Sequence, residues 1–326
     1  MNILLSGSGS GGHIYPCIAT YNNLKKENNC IIVIFKEIDK KIYDLNNIKY
    51  IFIDDNLSTI KKLKKINKIY KENNVDISLT FGGKNSLFVN IITKLNKGKA
   101  FIFEQNAIMG KANKINYLLA NKVFTTFKLN KKKEVNIGNQ NTFDIKNNKI
   151  KLFNNNKLTI LITLGSLGST SVNKVIKQFI DNCNDFNIIY VLGNNVKDNF
   201  IKKDNVKIYS YYNPLIDLIN NVDLIISRAG ASTLSEIIKL NKPSIIIPSP
   251  YVTNNHQEKN ANNLYLKGCI DLILEKNLNL FTLKNKVYKL LLNKNNYQTM
   301  VNNIKSINNN TSFDDLKKEI FNEVIN

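Results

Sequence analysis

Arginine is all but missing from this chain: of 46 basic residues only Arg228 is an arginine, and lysine supplies the rest. Proteins that read nucleic acid use arginine forks and aromatics interleaved with basic residues; neither pattern is present, so no nucleic-acid partner is expected. Histidine and cysteine are scarce as well, with His13 and His256 far apart and Cys17, Cys30, Cys183 and Cys269 scattered without a C-x-x-C pair. That spacing fits neither a zinc site nor a disulfide framework, and the cysteines are expected to be reduced and mostly buried. No apolar run approaches the roughly 18 residues that a membrane-spanning helix needs. The chain opens on Met1-Asn2-Ile3-Leu4-Leu5 and runs straight into glycines, without a basic start or a cleavage site, so a cytoplasmic location is expected. No D-x-D pair sits in a suitable loop, and neither a metal site nor a resident cofactor is expected.

What is present is ordinary for a globular protein of two domains: 326 residues, 43% hydrophobic and 22% charged, enough to bury two cores without staples. The net charge of +21 draws the chain toward polyanions or anionic lipid, although over-used lysine, asparagine and isoleucine also mark codon drift toward A and T. Charge alone names no partner.

Short β-branched runs alternate with helix-length amphipathic stretches, the mark of parallel sheets with helices on both faces. Strands are predicted near 2–5, 31–35, 49–53, 75–79, 100–103 and 122–126, and again near 158–163, 187–192, 206–209, 223–226, 244–247 and 270–273. Between them, 130–156 is rich in lysine and asparagine with little apolar periodicity. The expectation is an α/β protein with two Rossmann-like parallel-sheet domains, 1–142 and 156–310, facing across a cleft. Apolar residues at Phe313, Leu316, Ile320, Phe321 and Val324 predict a last helix over 313–326, packing on one of the domains, with the first as the candidate.

Both halves open on a strand, a glycine-rich turn and a helix. The first turn contains G-x-G-x-x-G at Gly7, Gly9 and Gly12, followed by His13. It reads as a tight turn, or as a dinucleotide site with Glu37 or Asp39 for the ribose; a Walker loop would need lysine where His13 stands. At a helix start His13 is kept neutral and can accept a proton from a substrate hydroxyl, which makes it a candidate general base. Arg228-Ala229-Gly230-Ala231-Ser232-Thr233-Leu234-Ser235-Glu236 is a second turn with free amides and hydroxyls, an anion cradle. There Glu236 is either a capping-box carboxylate for Ser232 or Thr233, or an acceptor for the hydroxyls of a ribose. Arg228 is either a ligand-binding fork or a local clamp. The polar loop 248–261, with Gln257, and Glu104-Gln105-Asn106 after a strand carry side chains suited to sugar hydroxyls.

These segments, taken together, resemble the MurG-type UDP-N-acetylglucosamine:lipid I N-acetylglucosaminyltransferases of peptidoglycan synthesis, which have the GT-B fold. The resemblance rests on Gly9-Ser10-Gly11-Gly12-His13-Ile14-Tyr15-Pro16, Phe81-Gly82-Gly83, Glu104-Gln105-Asn106-Ala107, Leu164-Gly165-Ser166-Leu167-Gly168, the Arg228 to Glu236 block and 248–261, in family order over most of the chain. It implies that Ser166, Ala231, Ser232 and Thr233 hold the UDP diphosphate, Glu236 the ribose, and Tyr212 the uracil. Gln257 and Asn106 would read the N-acetylglucosamine, and Ser10, Gly11 and Gly12 would approach the sugar and acceptor. His13 is the implied base, with Glu104 in reserve.

The implied reaction is an inverting transfer to the C4 hydroxyl of the N-acetylmuramoyl unit of lipid I, giving lipid II and UDP at the cytoplasmic face of the membrane. The chain departs from the family where Gly138-Asn139-Gln140-Asn141-Thr142 replaces Gly-Asn-Pro-x-Arg, removing a cation expected near the donor, and where Phe103 replaces histidine. Lipid I is membrane-bound, so an anionic bilayer surface is an expected partner. The stretch 57–70, with lysines between Leu57, Ile60, Leu63, Ile66 and Ile69, is one candidate contact, or an ordinary helix with its apolar face on a sheet. Leu87, Phe88, Val89, Ile91 and Ile92 form a second candidate. A dinucleotide-dependent oxidoreductase and a non-catalytic nucleotide-sugar-binding protein are the alternatives.

Overall fold

The computed structural model describes residues 1–143, 149–165, 170–193, 200, 203–212, 214–308 and 311–325. They fall into two compact units, Met1–Asp144 with Asn310–Asn326, and Ile145–Asn309.

The first unit holds a parallel sheet of β1 (Asn2–Ser6), β2 (Asn29–Ile34), β3 (Ile51–Phe52), β4 (Ile77–Thr80), β5 (Lys99–Glu104), β6 (Lys122–Thr125) and β7 (Glu134–Asn136). The second holds β8 (Thr159–Thr163), β9 (Asn187–Val191), β10 (Val206–Tyr209), β11 (Leu224–Ser227), β12 (Ser244–Ile246) and β13 (Asp271–Leu272), also parallel throughout. The helices are α1 (Gly11–Leu24), α2 (Glu37–Leu45), α3 (Thr59–Glu72), α4 (Ser86–Leu95), α5 (Lys111–Leu119), α6 (Thr170–Asp181), α7 (Leu215–Asn220), α8 (Ala231–Lys239), α9 (His256–Tyr265), α10 (Leu280–Leu292), α11 (Lys294–Ile307) and α12 (Phe313–Ile325).

Central strands such as β1, β4 and β8 are buried on both faces, which is why they read as unbroken apolar runs rather than alternating ones. In the first sheet the order β3-β2-β1-β4-β5-β6-β7 reverses direction between β1 and β4; in the second, β10-β9-β8-β11-β12-β13 reverses between β8 and β11. Such a reversal opens a crevice beyond the carboxyl ends of the two strands, where open α/β sheets bind ligands. Just beyond those ends lie His13, at the start of α1, and Gly82 in the first unit, and Gly165 and Arg228 in the second.

β7 lies inside the lysine- and asparagine-rich stretch where no strand was expected. It is a three-residue edge strand, half-exposed, with one apolar side chain, so periodicity carries no sign of it. Hydrogen bonding holds it instead: Glu134 accepts from Thr125 Oγ1 at 2.7 Å, Leu129 N at 2.7 Å and Lys131 N at 3.0 Å. α3 buries Ile66 and Ile69, with Leu57 and Leu63 packed beside them, against its sheet, and leaves Ile60 exposed. α12 belongs to the first unit, where Phe313, Leu316 and Ile320 enter the core that contains β1 and α1. Its outer side is pinned by Lys122 to Glu319 at 2.8 Å. All four cysteines are free thiols, Cys30 half-buried and the others buried.

Candidate active site

In the first unit, β1 ends at Ser6 and the chain turns through Gly7 and Gly9 into α1, whose N-cap is Ser10. Gly7 is obligatory, because a Cβ there would lie 2.5 Å from the Cys17 Cβ and the His13 carbonyl. The turn brings His13 to the third position of α1, half-buried, with its ring against Gly82 on the β4–α4 loop. Gly82 has φ +101°, and a Cβ on it would sit 2.8 Å from His13 Nε2. Between these loops lies a cavity of 190 Å³ lined by Ser8, Ser10, His13, Lys36, Lys84 and Asn85 among others.

His13 Nδ1 is 3.1 Å from the Ser8 carbonyl and 3.2 Å from Ser10 Oγ. A carbonyl can only accept, so the first contact assigns the proton to Nδ1 and leaves Nε2 as the basic nitrogen of the neutral ring. Ser10, Gly11 and Gly12 surround this helix start, with Ser10 exposed and both glycines half-buried.

Asp39, in the first turn of α2, is 1% exposed and faces the glycine loop. Its carboxylate accepts from the Ser8 hydroxyl and from Gly9 N at 3.1 and 3.2 Å. In a dinucleotide site the loop amides meet a pyrophosphate and the acidic residue meets a ribose. Here the amide and the acid are joined to each other, which argues against that alternative. Behind the lining residues Lys84 and Asn85, Asp55 pairs with Lys62 at 2.8 Å and Lys84 at 3.1 Å and accepts from Asn85 at 3.0 Å. Partial burial acts to raise its carboxyl, but these partners hold it well below the usual carboxylate range.

Glu104 ends β5 and is buried. One oxygen accepts from Asn106 N at 3.0 Å and Asn106 Nδ2 at 3.1 Å; the other accepts from Gly110 N at 2.8 Å and Asn113 Nδ2 at 2.9 Å. With these four donors its geometry is that of a loop organiser, and it sets the orientation of Asn106. Phe103 is fully buried against Phe81, with ring centroids 5.7 Å apart, and presents no polar group. Thr142, where the family cation was expected, is buried and donates to the Asn139 carbonyl at 2.7 Å.

In the second unit, Arg228 follows β11. The guanidinium is buried, donating to the Ile247 carbonyl at 3.0 Å and pairing with Glu275 at 2.7 Å, so it ties the ends of β11 and β12 to the segment after β13. These contacts are the ones a local clamp would make. Buried Asn260 of α9 donates to the Ala229 carbonyl at 3.3 Å, bracing the same segment. The braced segment ends at Gly230, the N-cap of α8, which has no side chain to cap with. The amides of Ala231, Ser232 and Thr233 therefore find no capping acceptor among the described residues, and Ser232 and Thr233 are half-buried beside them.

Because Gly230 is the N-cap, the capping-box position is Thr233, and Glu236 lies one turn too deep to close such a box. Glu236 instead has its carboxyl pushed up to about 7 by burial, with no charge-stabilising partner among the described residues. A half-buried carboxylate without donors, a turn above bare helix amides, is arranged to accept hydroxyls from a ligand that also carries negative charge.

Gln257, in the first turn of α9, accepts from Ser249 N at 2.9 Å, which fixes its carboxamide and leaves Nε2 as its donating group. Two left-handed residues, Asn254 at φ 57° and Asn255 at φ 51°, make the bend that starts α9. Tyr212 is half-buried, with its ring 5.2 Å from that of Tyr209. Ser166 lies outside the described residues. Sequence reasoning did not find Lys36 and Lys84 around the cavity, or Asp55 paired with Lys84, and it weighed Asp39 only as a ribose ligand. The contacts of Asp39 span about thirty positions and leave no mark in local pattern.

Comparison with known proteins gives matches over the same two stretches. The glycosyltransferase family 28 N-terminal domain matches residues 3–125 and the family's C-terminal domain residues 159–320. A UDP-N-acetylglucosamine–N-acetylmuramyl-(pentapeptide) pyrophosphoryl-undecaprenol N-acetylglucosamine transferase of Finegoldia magna is 32% identical over 98% of both chains. The transferase of the same name from Caldicellulosiruptor saccharolyticus is 32% identical over 94% of both. Among solved structures, that of Acinetobacter baumannii MurG superposes with a TM-score of 0.81 at 20% identity, covering 99% of this chain and 100% of that one, a likeness of fold.

Proposed function

The chain belongs to glycosyltransferase family 28, within its UDP-N-acetylglucosamine–N-acetylmuramyl-(pentapeptide) pyrophosphoryl-undecaprenol N-acetylglucosamine transferases, and from that premise we propose how it works. It transfers N-acetylglucosamine from UDP-N-acetylglucosamine to the C4 hydroxyl of the N-acetylmuramoyl unit of lipid I with inversion, releasing UDP and forming lipid II. The carboxy-terminal unit binds the donor. The amides and hydroxyls of Ala231, Ser232 and Thr233, with Ser166, receive the diphosphate, and Glu236 accepts from the ribose. Tyr212 lies against the uracil, and Gln257 with Asn106 reads the sugar.

The amino-terminal unit binds the acceptor beside Ser10, Gly11 and Gly12. His13 Nε2 takes the proton of the C4 hydroxyl as its oxygen bonds to the anomeric carbon. The bond to UDP breaks on the opposite face, and its electron pair leaves on a diphosphate held by helix-terminal amides. Glu104 supports this as an organiser of the Asn106 loop, and Arg228 by holding the turn that starts α8.

The observation that carries the reading is the bare α8 terminus with Glu236 above it, in a chain that matches these transferases nearly end to end. A coupled assay of UDP release with UDP-N-acetylglucosamine and a lipid I analogue tests it. Release that depends on the acceptor is expected; binding of UDP without acceptor-dependent release would leave only a nucleotide-sugar-binding protein.

The enzyme works at an anionic membrane surface, the cytoplasmic leaflet where lipid I is held. No helix among the described residues is long and apolar enough to cross a membrane. Attachment is instead peripheral, through the neighbouring helices α3, α4 and α5, which expose Ile60, Leu95, Ile115 and Leu118 among lysines. Flotation with anionic liposomes at low salt is the check, and failure to float there would remove the membrane partner.

A further inference from the structure

The buried acid Asp39 has no part in the mechanism above, yet its bonds lead to the base. Gly9 N, which donates to the carboxylate at 3.1 and 3.2 Å, and the Ser8 carbonyl, which accepts from His13 Nδ1 at 3.1 Å, are the two ends of one peptide group. The carboxylate, the planar peptide and the imidazole thus form one hydrogen-bonded line. Pulling on the N–H end of a peptide increases negative charge on its oxygen, and linked hydrogen bonds strengthen one another in a low-dielectric interior.

We propose that Asp39 is a positioning residue for glycosyl transfer, which acts on His13 through the Ser8–Gly9 peptide to fix its tautomer and increase the basicity of Nε2. Three features support an acid kept for this purpose. Asp39 is in the first turn of α2, at the positive end of the helix dipole. It is 1% exposed, so solvent does not screen it. The Ser8 hydroxyl that also binds it accepts from Phe35 N at 3.3 Å, which locks the loop to the end of β2. The role is the one a carboxylate plays behind a catalytic imidazole when it contacts the ring directly, here carried through one amide.

Other charged or titratable groups around the line are Lys36, whose ammonium lies over Gly9, Lys84 paired with Asp55 and backed by Lys62, and Tyr43 and Cys17 beneath Gly7. Burial pushes the Cys17 thiol up to about 12 and Tyr43 higher still, so both stay neutral while His13 titrates. Asp39→Asn keeps the shape and one acceptor oxygen for Gly9 N, and replaces the charged second oxygen with an amide NH2.

The proposal rests on His13 being the base, but its test does not need turnover. The chain has two histidines, so NMR titration of the histidine-labelled protein reads His13 with His256 as the internal reference. In Asp39→Asn the His13 midpoint is expected to move to lower pH while that of His256 stays. The acidic limb of kcat/KM should move the same way, with a roughly tenfold loss of kcat. An unmoved His13 midpoint would make Asp39 a structural brace and overturn the proposal. Should the variant not fold, the imidazole nitrogen shifts of the native chain decide: protonation at Nδ1 is expected, and a neutral ring protonated at Nε2 would overturn it. A shifted midpoint in a chain that releases no UDP would leave the relay intact and reject the transferase reading instead.

Discussion

Glu236→Gln should make the ligand-free protein more stable and a poorer binder of its donor, both in a pH-dependent way. Burial lifts the carboxyl from its ordinary 4.5 to about 7. Below about pH 4.5 the group is protonated in the folded and the unfolded chain, and its presence costs nothing. As pH rises the unfolded chain ionises first, so the folded state loses stability relative to it, and the loss is complete above about pH 7. The interval corresponds to about 3 kcal/mol, which the partial exposure of the side chain reduces to about 2. Glutamine carries no such cost. Melting of the two proteins without ligand should therefore give similar values near pH 5, and near pH 8.5 a variant more stable by roughly 4–8 °C. A ribose diol donating to the ionised form recovers the cost, so UDP-N-acetylglucosamine should bind the native protein more tightly as pH rises through 7, and the variant roughly 10- to 100-fold more weakly at alkaline pH. An unchanged or lower melting temperature at alkaline pH, or equal donor affinity in the two proteins, would refute the reasoning.

His13→Gln should lower turnover by roughly two to four orders of magnitude in the UDP-release assay while UDP binding, read by calorimetry, stays close to native. Gly82→Ala puts a methyl group 2.8 Å from His13 Nε2 at a φ of +101°, and should cost about 1–3 kcal/mol in denaturant unfolding together with most of the activity. Arg228→Met leaves Glu275 buried without its cation and should destabilise by about 3–5 kcal/mol. Arg228→Lys should recover only part of that stability, because a point charge cannot serve both Ile247 and Glu275.

β8, β9, β10 and β11 lie within a residue of the stretches predicted for them, because each is a β-branched run long enough to stand out from its flanks. β3 and β13 shrink to two paired residues at the sheet margins, and β7 is invisible to pattern because it is polar and held by a carboxylate. The site divides the same way. His13 and Glu236 follow glycine turns that sequence marks plainly, and their candidacy needs no tertiary contact. The clamp of Arg228 on Glu275 and the bond of Asp39 to Gly9 are not legible, since each joins residues tens of positions apart that no local periodicity relates. Glu104 illustrates the limit of reading residue types: a carboxylate at a strand end suits a base, and only its four donors reveal an organiser of the loop.

The most direct test is the structure of the product. Incubated with UDP-N-acetylglucosamine and a soluble lipid I analogue, the protein should yield a disaccharide whose new bond joins the acceptor's C4 oxygen to an anomeric carbon of inverted configuration, as NMR coupling constants report. Free N-acetylglucosamine with UDP, a retained anomer, or attachment at any other hydroxyl would contradict the account.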